Sequence, residues 1–331
     1  MSAPIITFFN NKGGVGKTSL VYHLGWMLAD LGHRVVAADL DPQANLTAAF
    51  LDEEEIEQLW SPGQARTIWS AIRPFVDGDG GIEPITPTST DDERLVLLPG
   101  ELTMSRFEDD LSTQWRDCLE GTRLRPFLVM SAFWTVLRAA ASAHEAEVVL
   151  VDVGPSLGAI NRAALVASDH VMVPMAPDLF SLQGLRNLGP TLREWRQGWR
   201  KRLDERPTDD RELPTGAMDP LGYVLLAHGI RLNRPVQAYQ RWMDKIPEQF
   251  HRSVLDQTAS APLPDDDPYC LAQLKHYHSL MPLAQEARKP IFALKPADGA
   301  FGGHAQAALR AYGDFRELAN RLLDAVFTPA A

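Results

Sequence analysis

Short apolar runs alternate with amphipathic stretches along most of this chain. Ile5–Phe9 is a largely apolar run ahead of glycines, the pattern of a strand buried on both faces of a parallel sheet. Lys17–Leu31 places Leu20, Val21, Leu24, Leu28 and Leu31 on one helical face, and Gly32 is a natural stop. Arg34–Asp39 reads as the next strand, so these pieces form a parallel crossover, right-handed in nearly all proteins. Further strands are predicted at Leu95–Leu98, Val148–Val151, His170–Pro174 and Leu221–Ala227, and helices at Phe127–Ala143, Ala159–Ala167, Leu179–Trp199, Val236–Phe250 and Gly303–Phe327. The last helix has Leu309, Tyr312, Phe315, Leu318, Leu322 and Val326 on its apolar face. Alternating strands and helices imply an α/β fold: a mostly parallel central sheet with helices on both faces.

Three stretches break the pattern. Residues 51–93 are acidic and rich in Gly, Pro, Ser and Thr, and read as a surface excursion with helix near Glu54–Trp60 and Thr67–Ile72. Residues 204–220 are Pro-rich and charged, and 256–268 read as a second surface loop. With no internal repeat and no boundary in composition, residues 1–331 are expected to form one domain carrying these three inserts.

Composition narrows the class. The chain is 45% hydrophobic and 23% charged, as in ordinary globular proteins. No apolar run approaches the ~20 residues that cross a bilayer. No basic and apolar leader precedes the first strand, so the expected location is cytoplasmic. Cys118 and Cys270 are far apart and lack metal-ligand spacing, which points to reduced thiols rather than a disulfide framework. The net charge is −11, but residues 51–110 alone hold fifteen acidic and four basic side chains. The whole acidic excess can be assigned there, and residues 186–252 are net positive, so a nucleic-acid partner is not excluded.

The chemistry concentrates at strand ends. Lys12-Gly13-Gly14-Val15-Gly16-Lys17-Thr18 follows the first strand and opens the first helix, as a phosphate loop requires. Its backbone N–H groups and the helix N-terminus suit a polyphosphate, so Gly13, Gly14, Val15, Gly16, Lys17, Thr18 and Ser19 form the candidate nucleotide set. Lys17 suits the β and γ phosphates, and the Thr18 hydroxyl suits Mg²⁺. Lys12 is a second lysine just ahead of the loop, placed to point away from it. Asp152 ends an apolar strand, where a carboxylate can hold Mg²⁺ directly or through water. Asp39 and Asp41 end another strand and point the same way if it continues, one to help with Mg²⁺ and the other to orient an attacking water. Gly154-Pro155 suits a loop that senses the γ-phosphate.

Together these motifs resemble the ParA/MinD family of deviant Walker A ATPases, and within it the Soj-type ParA partition ATPases. The matching pieces are KGGVGKT at 12–18, DLDPQANLT at 39–47, VLVDVGPSLGAIN at 149–161 and VPMAPDLFSLQGL at 173–185, with a weaker match at 280–292. The resemblance implies a P-loop NTPase three-layer sandwich that uses ATP and Mg²⁺. It makes Lys17 the phosphate lysine of its own subunit and Lys12 the signature lysine that crosses a dimer interface to the partner's nucleotide. Thr18 and Asp152 would hold Mg²⁺, and Asp41 would position the hydrolytic water; Asp39 receives no comparably definite role. Gly154 departs from the family, which often has Pro there. Ala227 and His228 stand where many relatives carry Asn or Thr near the base, leaving His228 as a base contact or a plain loop histidine.

The resemblance further implies an ATP-dependent homodimer that binds DNA non-specifically on the nucleoid, partitions plasmid or chromosomal DNA, and answers to a ParB-like or adaptor stimulating protein. Candidate DNA contacts are Arg200, Lys201, Arg202, Arg231 and Arg234, with Arg288 and Lys289 in the segment resembling the family's C-terminal DNA face. Only eleven residues precede Lys12, so an N-terminal helix-turn-helix domain is not expected. An alternative is a ParA-like ATPase that positions a protein assembly. A MinD-like membrane cycle would need a basic amphipathic tail. The final helix instead mixes Arg316, Glu317, Arg321 and Asp324, so no membrane partner is expected.

Overall fold

The apolar runs assemble into one eight-stranded sheet in the computed structural model, which describes residues 2–61, 66–226, 236–258, 262–275, 277 and 279–327. The strands are β1 (Ile5–Phe8), β2 (Val35–Asp39), β3 (Thr88–Ser89), β4 (Leu95–Leu98), β5 (Val148–Asp152), β6 (His170–Met175), β7 (Asp219–Leu226) and β8 (Cys270–Leu274). Their order is β3-β4-β2-β5-β1-β6-β7-β8, with only the short edge strand β3 antiparallel.

Side chains alternate between two cores, as strand geometry demands. Ile5, Val36, Val149 and Val171 face one layer, with helices Ala132–Ala143, Ala159–Val166 and Leu179–Asp204. Ile6, Val35, Val148 and Met172 face the other, with helices Lys17–Asp30 and Gly303–Phe327. This is the expected α/β three-layer sandwich. Several strand residues are fully buried because both faces are covered.

Several expectations need adjustment. Phe127–Ala143 is two helices, Arg125–Met130 and Ala132–Ala143, separated at Ser131. Val236–Phe250 is also two, Val236–Met243 and Ile246–Ser253, where Pro247 starts the second. In the acidic excursion, helix Ile68–Asp77 buries Ile68, Trp69, Ala71 and Ile72 in the core and is not merely superficial. Asp267, in the expected 256–268 surface loop, is buried, accepting from the Tyr223 hydroxyl at 2.8 Å. Helices Asn45–Phe50, Phe107–Asp117 and Met281–Ala287 and strand β8 form where the sequence pattern predicts no element.

Every strand but β3 points its carboxyl end to one edge of the sheet. There β1 runs into the phosphate loop, and β2 and β5 end side by side at Asp39 and Asp152. An α/β sheet binds ligands at this edge.

Candidate nucleotide site

The loop is shaped by its glycines. Gly14 and Gly16 take φ of 70° and 87°, left-handed values that side chains resist. Gly16 caps helix Lys17–Asp30 without any side-chain bond, so the first N–H groups of the helix are free for an anion. Lys17 turns inward: it is 7% exposed, and its Nζ donates to the Asn10 carbonyl at 3.2 Å. Burial lowers its pKa, while Asp152 and Asp41 hold it up.

Lys12 behaves differently. Its Nζ leaves the loop and pairs with the Asp178 carboxylate at the start of helix Leu179–Asp204. It also lies 5.9 Å from the ring centre of Phe180, which is 73% exposed. Asp178 is therefore shared between Lys12 and the Ser181 N–H it caps at 2.8 Å. These contacts hold the Asp178 carboxyl below the usual carboxylate range despite its partial burial. Its segment was legible as a motif, but no role for Asp178 was.

The acidic groups form a tier behind the loop. Asp39 and Asp152 are register partners on β2 and β5, and both are fully buried. Asp39 Oδ2 accepts from the Thr47 N–H and hydroxyl, both at 2.8 Å, which ties down the start of helix Asn45–Phe50. Asp41 is 7% exposed, and its Oδ1 accepts from the Gln43 N–H at 3.0 Å. A Cβ on Gly154 would stand 3.1 Å from Asp41 Oδ1, so glycine in place of the family's frequent proline lets this carboxylate approach the loop backbone.

Asp152 is the unbalanced member. Among the described residues, neither of its carboxylate oxygens has a hydrogen-bond partner. Burial and the neighbouring Asp39 drive its pKa upward, opposed by the Thr18 hydroxyl and Lys17. An orphaned buried carboxylate next to a hydroxyl residue is a donor set that fits a hard cation such as Mg²⁺.

Beside the loop lies a cavity of about 200 Å³ between Gly14, Val15, Gly16 and Ser19 and an apolar wall that includes Leu226, Leu274, Tyr277, Ile291 and Phe315. Such a wall suits a flat heterocyclic base. His228, the sequence candidate for a base contact, and Ala227 lie outside the described residues.

His23 joins this wall to the loop helix. The ring is 2% exposed, its Nδ1 donates to the Ser19 carbonyl at 2.6 Å, and its Nε2 accepts from the Ile291 N–H at 3.1 Å. Burial pushes its pKa down to about 4. Between that value and the usual 6.5, the unfolded chain takes up a proton that the folded chain refuses. Stability is therefore expected to fall with acidification through this window, by about 3 kcal/mol at its low end. Urea unfolding near neutral pH and at about pH 5 checks this: the loss should shrink in a His23→Leu variant.

The basic candidates do not converge. Arg200 and Lys201 are exposed near the end of helix Leu179–Asp204. At 1.5 Å per residue they lie roughly 30 Å from its start beside Lys12. Arg202 is removed from the DNA-contact set: it is 6% exposed, stacks 3.7 Å from the Trp115 ring centre and donates to the Trp115 carbonyl at 2.6 Å. Arg288 pairs with Asp52 at 3.6 Å and Lys289 with Asp298 at 2.7 Å. Arg231 and Arg234 lie outside the described residues. No helix among the described residues is long and apolar enough to cross a membrane.

A glycine-rich loop between β1 and a helix, a lysine buried in it and an orphaned Asp at the adjacent strand end define a P-loop nucleoside triphosphatase fold. The AAA-domain family model matches residues 3–205. The sporulation initiation inhibitor protein Soj of Bacillus subtilis is 31% identical over 190 residues, which is 57% of this chain and 64% of that protein. The chain belongs to this AAA-domain family and, within it, to the ParA type. It spans 64% of the length of Soj and 41% of that of a putative replication protein A of Sinorhizobium fredii. Among solved structures, a protein of Corynebacterium diphtheriae covers 99% of this chain and 100% of its own at a TM-score of 0.73 and 24% identity. Cobyrinic acid a,c-diamide synthase of Mycobacterium smegmatis, solved with ADP and magnesium, covers 99% and 97% at 0.59 and 18%. At these identities both likenesses speak for the fold alone.

Proposed function

We propose that this protein is an ATP-dependent dimerising ATPase of ParA type, whose ATP dimer binds DNA non-specifically and partitions plasmid or chromosomal DNA. The observation that carries the dimer is the division between the two lysines: Lys17 is buried in its own loop, while Lys12 is held outside it by Asp178. A cation in that position serves a phosphate of a second subunit, as a trans-acting arginine finger does. Asp41 is the residue that orients the attacking water, and Asp39 holds the helix that follows. Thr18 and Asp152 are the groups that would hold Mg²⁺, which neutralises phosphate charge when bound.

Relatives named as chromosome-partitioning proteins support the DNA role. Exposed Arg200 and Lys201 are the first contacts to test. We expect the wild type to be dimeric in Mg-ATP, monomeric in ADP, and stimulated in hydrolysis by random duplex DNA. Retention on that DNA should fall steeply with salt, and Arg200→Ala with Lys201→Ala should flatten the log–log slope by up to about two for each subunit that contacts DNA. Size measurement and filter binding decide it; a wild type that is monomeric in ATP and unretained at low salt overturns the reading.

A further inference from the structure

The loop Gly154–Gly158 lies against both the phosphate loop and Asp41. Pro155 Cγ lies 3.8 Å from where a Cβ on Gly13 would stand, and Gly154 abuts Asp41. What fixes this loop comes from elsewhere. Its far end enters helix Ala159–Val166, whose N-cap, Gly158, offers no side chain. The missing cap is supplied by Glu108, the second residue of helix Phe107–Asp117. Glu108 Oε1 accepts from the Ala159 N–H at 2.5 Å and Oε2 from the Ile160 N–H at 2.9 Å. The approach is close enough that a Cβ on Gly158 would fall 2.6 Å from Oε1. Asn161, 1% exposed, completes the clamp by donating through Nδ2 to the Gly154 and Ser156 carbonyls, both at 2.7 Å. Arg162, next in sequence, lies over the Trp115 ring of the same helix as Glu108, 4.5 Å from its centre.

The strand end leading to Glu108 reaches the other nucleotide-facing loop as well. The Gly100 N–H donates to the Thr47 hydroxyl at 2.9 Å, and that hydroxyl donates to Asp39. The acidic excursion hangs on the same stretch, with the Ile68 N–H donating to the Pro99 carbonyl at 2.9 Å and Trp60 Nε1 to the Gly100 carbonyl at 3.3 Å. Residues 99–108 therefore bridge the Asp41 loop, the Gly154 loop and the excursion.

We propose that Glu108 is a positioning residue for ATP turnover: its two-oxygen cap on Ala159 and Ile160 sets the Gly154–Gly158 loop against Asp41 and the phosphate loop. This rests on the ATPase reading above. Among the described residues the Glu108 carboxylate accepts hydrogen bonds from Ala159 and Ile160 and none from the phosphate loop or Asp41, so its loss acts on turnover and not on nucleotide affinity. The glutamine variant keeps the shape and one acceptor oxygen, and so retains half of the cap.

The test is steady-state ATPase of Glu108→Ala and Glu108→Gln, with affinity for a fluorescent ADP analogue and amide exchange at residues 154–161 of the nucleotide-free protein. The expected result is kcat reduced at least about tenfold in the alanine variant and less in the glutamine variant, with ADP affinity within about twofold of wild type. Exchange at Ala159 and Ile160 should rise in the same order. An alanine variant with wild-type kcat, or one losing affinity in step with kcat, overturns the proposal. Should the alanine variant fail to fold, the glutamine variant decides by the same criteria. Wild-type protein without ATP turnover overturns the ATPase reading instead, while amide exchange still tests the cap.

Discussion

A Lys12→Ala variant should remain monomeric in Mg-ATP at concentrations where the wild type dimerises, and should hydrolyse ATP at least about 10³-fold more slowly, the scale of losing a trans-acting cation. Within its own subunit the Lys12 side chain has the half-exposed pair with Asp178 and the approach to the exposed Phe180 ring, both weak, so the variant should melt near the wild-type temperature. That pair is half-exposed, with side chains 27% and 37% accessible, and pairs of this kind are worth about 0.2–1 kcal/mol. It competes with the partner's phosphate for the same ammonium group. Asp178→Asn should therefore shift dimerisation in the opposite direction, to an ATP concentration lower by a few-fold. Light scattering across an ATP titration reads both variants. Dimerisation unchanged by Lys12→Ala would sink the idea that this lysine completes the partner's site.

The second large effect is expected at Asp152. Asp152→Asn should abolish Mg²⁺-dependent ATP retention and, in chelator, make the nucleotide-free protein more stable at neutral pH, because asparagine carries no charge to be desolvated beside Asp39. The pH dependence has a definite sign. With its pKa raised above 3.8, Asp152 binds a proton more tightly folded than unfolded. Stability contributed by this group is present at low pH and is lost as the pH rises from 3.8 through the raised value. The asparagine variant lacks that slope, and Mg²⁺ binding should release protons. Thermal melts in chelator across the acid range check both statements; an Asp152→Asn protein that melts below wild type at neutral pH contradicts them.

The phosphate loop, Asp41 and Asp152 were legible because each rests on local spacing: a strand, a few residues and a helix. The sheet was legible for the same reason, since strands covered on both faces must be apolar throughout. What escaped depends on distance along the chain. Lys12 meets Asp178 across 166 residues, His23 meets Ile291 across 268, and Glu108 meets Ala159 across 51. Helix Phe107–Asp117 buries only Phe107 and Leu111, too sparse a pattern to read as periodic. Strand β8 leaves Ala272 and Gln273 half-buried. Basic residues near a helix end look alike in sequence, so only the fold separates buried Arg202 from exposed Arg200 and Lys201.

The helix that begins beside Asp178 has a mechanical property. It runs 26 residues, from Leu179 to Asp204. At Gly189 it crosses helix Ile246–Ser253 so closely that a Cβ would lie 1.7 Å from the Ser253 carbonyl oxygen. Gly189 is equidistant in sequence from Asp178 and Arg200, and Pro190 beside it removes one rung of the helix's own bonding. Were the two halves to move as one rod despite Pro190, the crossing would be the fulcrum. A 10° tilt there would swing each end by about 3 Å in opposite directions, given 1.5 Å of rise per residue. Release of Lys12 at one end and displacement of Arg200 at the other are, for a stiff rod, the same motion.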